Sequence, residues 1–464
     1  MNEERYIEAV RWLYGLQPRG IRLELDRMRA ACALAGDPQK SLRVIHVAGT
    51  NGKGSTSATV ERIAREAGLR TGLYTSPHLH SFTERVRIDG VPIAKDEVVS
   101  RVDVIRGLLA LPGAPELTFF EVTTLLAFMA FAERPLDLVV LEVGLGGRLD
   151  ATNVIERPLA CVITHVAFDH QAYLGNTLLE IAGEKAGIVK AGVPVIHGAT
   201  DPEDFGAQRR GLSGRTGERE GALPVQAGAD FDEPRAADVV DARAAALGAP
   251  SVALGRELSM TVTSAELGIL DVALGESRVT DLMPGLVGRH QRNNAALAVG
   301  AFLAVPDMLP IDGSAMRRGV SSVEWPGRLE TVTKGEHTFL FDAAHNLDGA
   351  RSLVSHLIRI PHDAARVLVF GAMADKDWTS MLLVLQPHVD AIVTVAPPLA
   401  RAEKAEVIAE AVGGSAAPSV IDGVEEAKRR AGEGGTVIVC GSIFVLAEAR
   451  AHVLGLAQEP LIAM

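Results

Sequence analysis

Five residues with an apolar, β-favouring character, Val44, Ile45, His46, Val47 and Ala48, run directly into Gly49, Thr50, Asn51, Gly52, Lys53, Gly54, Ser55 and Thr56. An amphipathic segment from Ala58 to Ala67 follows. No other stretch limits the possible folds so tightly. It predicts a strand, a glycine loop and a helix N-terminus in immediate succession. The glycines let consecutive N–H groups point inward, and the helix start adds positive potential, which together cradle phosphate. Lys53 brings a full charge to the outer phosphates, and Ser55 or Thr56 can help hold magnesium. The usual spacing of such loops is not met literally. Val47 stands where the first glycine would be, and Gly54 separates Lys53 from Ser55.

A strand feeding a phosphate loop implies a parallel α/β sheet, and 464 residues are too many for one core. The net charge of −12 argues against a broad nucleic-acid surface. Cys32, Cys161 and Cys440 lie far apart without metal-ligand spacing, and Cys161 and Cys440, in apolar strand-like runs, are expected to be buried thiols in a reducing compartment. The acidic start has no apolar core behind it, and the longest apolar runs are too short to span a bilayer. A cytoplasmic protein working as a monomer, off the membrane, is the expectation.

Along the chain, helices are expected over 3–16 and 23–34, and an apolar helix up to Ala132. Residues 136–143 form a near-continuous apolar run, as a parallel strand covered on both faces should. It ends at Glu142 and a loop through Gly144, Arg148, Asp150, Ala151 and Asn153. A carboxylate at the end of a core strand sits where open α/β sheets bind ligands, so a metal site competes there with a structural salt bridge. A further strand at 160–164 delivers Asp169 and His170. Ser76 before Pro77 reads as turn chemistry when taken alone. The segment from Asp201 to about Arg235 lacks periodicity and is expected to be a variable surface insertion. Pro326-Gly327 is the best boundary signal. Beyond it, β-rich runs at 338–342, 367–371, 391–395, 419–422 and 436–440 alternate with helical segments.

The loop at 49–55 and the motifs at 75–79, 141–153, 169–187, 325–328 and 342–346 stand in the order of the folylpolyglutamate/dihydrofolate synthase family of Mur ligases, which this chain resembles. The resemblance implies an α/β fold with a phosphate-loop, Mur-ligase-like ATPase domain over 1–324, a hinge at 325–329, and a smaller Rossmann-like C-terminal domain over 330–464. It implies ATP-dependent addition of L-glutamate to dihydropteroate and reduced folates through an acyl phosphate, with ATP as co-substrate and Mg2+ as cofactor. A relative with only the folylpolyglutamate activity, or a Mur-type ligase on another carboxylate, remains open. So does a phosphate-loop switch that hydrolyses nucleotide. By resemblance, Thr50, Asn51, Gly52, Lys53, Gly54, Ser55, Asn294, Arg328 and Asp342 contact ATP. Ser76, Glu142 and His170 hold magnesium. His345 lines the cleft, and Lys185 matches a lysine that the family carbamylates. Thr118, Phe120, Asp150 and Ala151 match dihydropteroate-binding residues of bifunctional members, although phenylalanines in such a place are often core.

Overall fold

The computed structural model describes residues 3–16, 24–199, 235–397, 399–457 and 459. The expected insertion lies outside the described residues, save Arg235. The first sheet has eight strands: β1 (Val44–Ala48), β2 (Thr71–Tyr74), β3 (Val86–Ile88), β4 (Val91–Pro92), β5 (Leu138–Glu142), β6 (Ala160–Ile163), β7 (Val195–His197) and β8 (Ser251–Ala253). Their order is β4-β3-β2-β5-β1-β6-β7-β8, with β3 and β4 the antiparallel edge. Every residue of β1, β5 and β6 is buried, because helices cover both faces. Ile45 and Val47 pack with Val60 and Ile63, whereas Val44 faces the opposite core with Leu125, Phe128 and Phe131. This alternation is the two-residue period of a strand.

A three-stranded antiparallel sheet of β9 (Leu258–Ser264), β10 (Ile269–Leu274) and β11 (Ser277–Leu282) follows. The third sheet contains β12 (Glu330–Lys334), β13 (His337–Phe341), β14 (Arg366–Phe370), β15 (Ala391–Thr394), β16 (Ser415–Ala416) and β17 (Thr436–Cys440). It runs β12-β13-β17-β14-β15-β16, with only the β12–β13 pair antiparallel.

Two local expectations need correction. Residues 419–422 are not a strand. Ser419 is the N-cap of a helix, Val420–Ala431, with its hydroxyl accepting from the Asp422 N–H, so the β-favouring valine and isoleucine lose to the cap. The helix after the phosphate loop begins at Lys53, directly on the loop as expected, with Gly52 as its cap at φ 90°. The second helix begins at Asp26 rather than Leu23, which lies outside the described residues. Among the described residues no helix is long and apolar enough to cross a membrane.

The helix Lys53–Glu66 is pinned from outside by the helix Gly313–Ser322. Gly319 permits the contact, since a Cβ there would lie 2.4 Å from the Ile63 Cα and 2.7 Å from its nitrogen. Backbone cannot give way as a side-chain tip can, so Gly319→Ala should cost about 1–3 kcal/mol by overpacking. Urea denaturation checks this, and an unchanged midpoint would contradict the packing.

Candidate active site

Strands β5, β1 and β6 are neighbours, and their carboxyl ends deliver the loops that matter most. Val47 pairs with Glu142 across β1–β5, and Ala48 with Ile163 across β1–β6. The phosphate loop, the loop after Glu142 and the segment leading to His170 therefore leave the sheet side by side. In the third sheet, β13, β17 and β14 are also neighbours, and residues from the turns after each face the first sheet. A cleft of about 360 Å3 lies between, lined by the phosphate loop on one side and by Asp342, His345 and Ser442 on the other.

Each loop glycine has a specific neighbour. A Cβ on Gly52 would meet the Asn294 Oδ1 at 2.4 Å, and one on Gly54 the Trp325 Nε1 at 2.9 Å. Asn294 is held by Gln291, whose own amide donates to the Ser55 Oγ at 3.2 Å. Asn294 thus lies against the loop from within the helix Arg289–Leu303. The Lys53 ammonium donates to the carbonyls of Gly49 and Thr50 at 3.2 and 3.0 Å.

Lys185 comes from the helix Leu178–Ala186 and donates to the same Gly49 carbonyl at 2.9 Å. Burial, reinforced by the nearby Lys53 charge, lowers its pKa to about 7. Half of it is therefore a neutral amine near neutrality, the form able to react with carbon dioxide. The sign of its effect on stability follows. Between pH 7 and its ordinary value the unfolded chain holds a proton that the folded chain has shed, so stability rises with pH across that window.

Glu142 is buried, and burial pushes its pKa up against the Lys53 charge, the Ser76 N–H and Arg328, which pull it down. Its one hydrogen bond among the described residues comes from the Ser76 N–H at 3.1 Å. Ser76, Glu142 and His170 all line the cleft. No group of three His, Cys, Asp or Glu residues suited to a metal occurs among the described residues. A hydroxyl, a carboxylate and nucleotide phosphates nonetheless form a hard oxygen set, which is how magnesium is usually held. The residues fit the ion, with His170 the least typical donor. Burial lowers the His170 pKa to about 4, so its ring is neutral at pH 7.

Asp169 joins the two sheets, a role its place in the sequence does not reveal. Asp169 receives Lys376 at 2.5 Å and the Asn346 amide at 3.3 Å, and its carboxylate lies 3.3 Å from the His345 Nε2. Burial alone would raise its pKa. The His345 hydrogen bond and the His170, His345 and Lys376 charges outweigh that and hold the carboxyl far below its usual range. A second strap runs alongside, from Asn51 to Asp348 at 2.7 Å and from His165 to Asp348 at 3.2 Å. The signal for Lys376 was its place in the turn after β14. Nothing in sequence paired it with Asp169.

Asp342 lies on the cleft wall, with its two oxygens accepting from the Leu329 and Ala344 N–H groups at 2.9 Å each. It thereby fixes the turn carrying Arg328. Thr118, Phe120, Asp150 and Ala151 do not line this cleft. Thr118 caps the helix Phe119–Ala132 in a reciprocal box with Glu121. Phe120 packs its ring against Gly144, where a Cβ would meet it at 2.3 Å. Asp150 is 4% exposed, accepting from the Leu145 N–H at 2.9 Å and from the Thr152 N–H and hydroxyl at 3.0 and 2.5 Å. Ala151 is in the core. The four gather behind the end of β5.

Two α/β sheets with a phosphate loop and a cleft between their strand ends fit an ATP-dependent ligase of the Mur type. Residues 327–443 match the model of the Mur ligase, glutamate ligase domain. The dihydrofolate synthase/folylpolyglutamate synthase of Bacillus subtilis is 33% identical over 96% of this chain and 98% of its own length. That of Escherichia coli is 33% identical over 94% and 92% respectively. A structure of E. coli FolC in complex with DHPP and ADP is similar with TM-score 0.82 at 30% identity, covering 96% of this chain and 98% of that one. A bifunctional folylpolyglutamate synthase/dihydrofolate synthase with Mn, AMPPNP and L-glutamate bound gives TM-score 0.80 at 29% identity, over 97% of this chain and 98% of that one. This chain belongs to the dihydrofolate synthase/folylpolyglutamate synthase family.

The Lys185 environment can be tested directly. Its ammonium, followed by NMR after reductive 13C-methylation, should titrate near pH 7. A value near the ordinary 10.5 would show that the side chain leaves its buried place.

Proposed function

We propose that this enzyme carries both activities, joining L-glutamate to dihydropteroate and then to reduced folates at one ATP site. The observation that carries the reading is the cleft in which the phosphate loop and Glu142 face Asp342 and His345. A substrate carboxylate attacks the γ-phosphate of ATP, giving an acyl phosphate and ADP. The amine of glutamate then adds to the acyl carbon and phosphate leaves. The first step brings anions together, and Lys53 with the loop N–H groups offsets that repulsion. Ser76, Glu142 and His170 would hold magnesium, which supplies further charge neutralisation at the phosphates.

The acyl phosphate must be kept from water. We assign closure to 325–329, between a nucleotide-binding domain over 1–324 and a second domain over 330–464. Support comes from Trp325 lying over Gly54 and from the Ala343 N–H donating to the Gly327 carbonyl at 2.9 Å. Carbamylation of Lys185 is supported by its lowered pKa and by its hydrogen bond to the loop carbonyl. Phe120 and the Asp150 loop stand beside the end of β5. That supports a pterin site there, with Asp150 acting as a positioning residue that shapes the loop. The three buried, unpaired cysteines suit a cytoplasmic setting, and the negative charge suits a monomer that does not bind nucleic acid.

The test is ADP release with ATP and glutamate, comparing dihydropteroate with tetrahydrofolate. Both should support turnover, and Lys53→Ala should abolish both by roughly a thousandfold or more while leaving the fold intact. Activity with tetrahydrofolate alone would make the enzyme monofunctional. ADP release independent of glutamate would favour a nucleotide switch.

A further inference from the structure

A second cavity of about 210 Å3 adjoins the nucleotide cleft, and Gly54, Ser76, Glu142 and Arg328 line both. Its remaining walls include Arg87, Arg450, Glu84 and Trp325. The charges there are unequally satisfied. Arg450 is bound to both oxygens of Glu330. The Glu84 carboxylate accepts from the Leu79, His80 and Ser81 N–H groups. Arg87 lies over the Trp325 ring at 5.1 Å, and its one hydrogen bond among the described residues goes to the Glu84 carbonyl at 3.4 Å. Neither Arg87 nor Arg328 forms an ion pair among the described residues. The Arg328 charge acts on Glu142 and Asp342, which leaves Arg87 as a partly buried guanidinium on the cavity wall without an ion pair; such a group calls for an anion, and a planar guanidinium suits a carboxylate best.

We infer that this cavity binds the α-carboxylate of the terminal glutamyl residue of a substrate that already carries glutamate, with Arg87 as its recognition residue. The inference rests on the ligase reading above. When the side-chain carboxylate of that glutamyl residue is placed at Glu142 and Lys53 for activation, its α-carboxylate is only a few bonds away. The adjoining cavity opens from the same corner and is large enough for one amino-acid residue. Dihydropteroate has no such second carboxylate, so Arg87 distinguishes the two substrate types at a shared phosphate site. The Trp325 ring beneath the guanidinium restrains it on the cavity wall through a cation–π contact.

The experiment compares binding of tetrahydrofolate with that of its α-carboxamide by calorimetry, in the presence of a non-hydrolysable ATP analogue. Wild type should prefer the acid by roughly ten- to a hundredfold, the worth of one charge-assisted hydrogen-bonded contact. Arg87→Met should lose most of that preference, while Arg87→Lys keeps part of it. Nucleotide affinity and the thermal midpoint, measured on the same preparations, show whether the variants are folded. A wild type that does not discriminate, or an Arg87→Met variant that discriminates equally well, overturns the inference. So does an Arg87→Met effect confined to the KM for free glutamate. Failure of the ligase reading would appear separately, as absence of glutamate-dependent ADP release with any folate.

Discussion

Asp169 is the interaction on which the site depends. Its carboxylate is almost wholly buried, with a side chain 7% exposed, yet it follows a strand of the first sheet and its strongest partners follow strands of the third. His345 and Asn346 reach it from the turn after β13, and Lys376 from the turn after β14, the two strands that flank β17. A buried carboxylate left without these partners would be strongly destabilised, by about 3–5 kcal/mol for a broken buried pair. The arrangement of the two sheets and the ionisation of Asp169 are thus one fact. It also sets the neighbourhood of His170, next in sequence, whose Nε2 lies 3.8 Å from the same carboxylate.

The phosphate loop is constrained by crowding as much as by charge. Thr164 presses on Gly49, Asn294 on Gly52 and Trp325 on Gly54, each too closely for a Cβ. These three neighbours come from β6's exit, a distant helix and the segment before the third sheet. Two ammonium groups then share the Gly49 carbonyl. Their mutual repulsion contributes to the low pKa of Lys185, after burial. Loop shape, lysine ionisation and sheet packing are fixed together.

The phosphate loop and Glu142 were legible in sequence because their signals are local: glycines between a strand and a helix, and an acid ending an apolar run. The alternating third sheet was legible for the same reason, apart from β12 and β16, whose short, mostly exposed sequences carry little pattern. The clasp of Asp169 with Lys376, and of Asp348 with Asn51 and His165, was not legible, since it pairs residues far apart in sequence. Asp150 shows a different limit. Its charge was visible, but whether a carboxylate faces a ligand or its own loop depends on burial that the sequence alone does not fix. Here Leu145 and Thr152 occupy it. Ser419 shows a third, where a serine cap decided between strand and helix.

The central claim is that Asp169 and Lys376 act as one unit to assemble the cleft from two sheets. A double-mutant cycle with Asp169→Asn and Lys376→Met, read by kcat/KM for glutamate-dependent ADP release, measures it most directly. The account predicts strong non-additivity, with the double variant little worse than either single one and a coupling energy of about 1–3 kcal/mol. Losses that simply add would show that the two side chains act independently, and the interdomain account would be wrong.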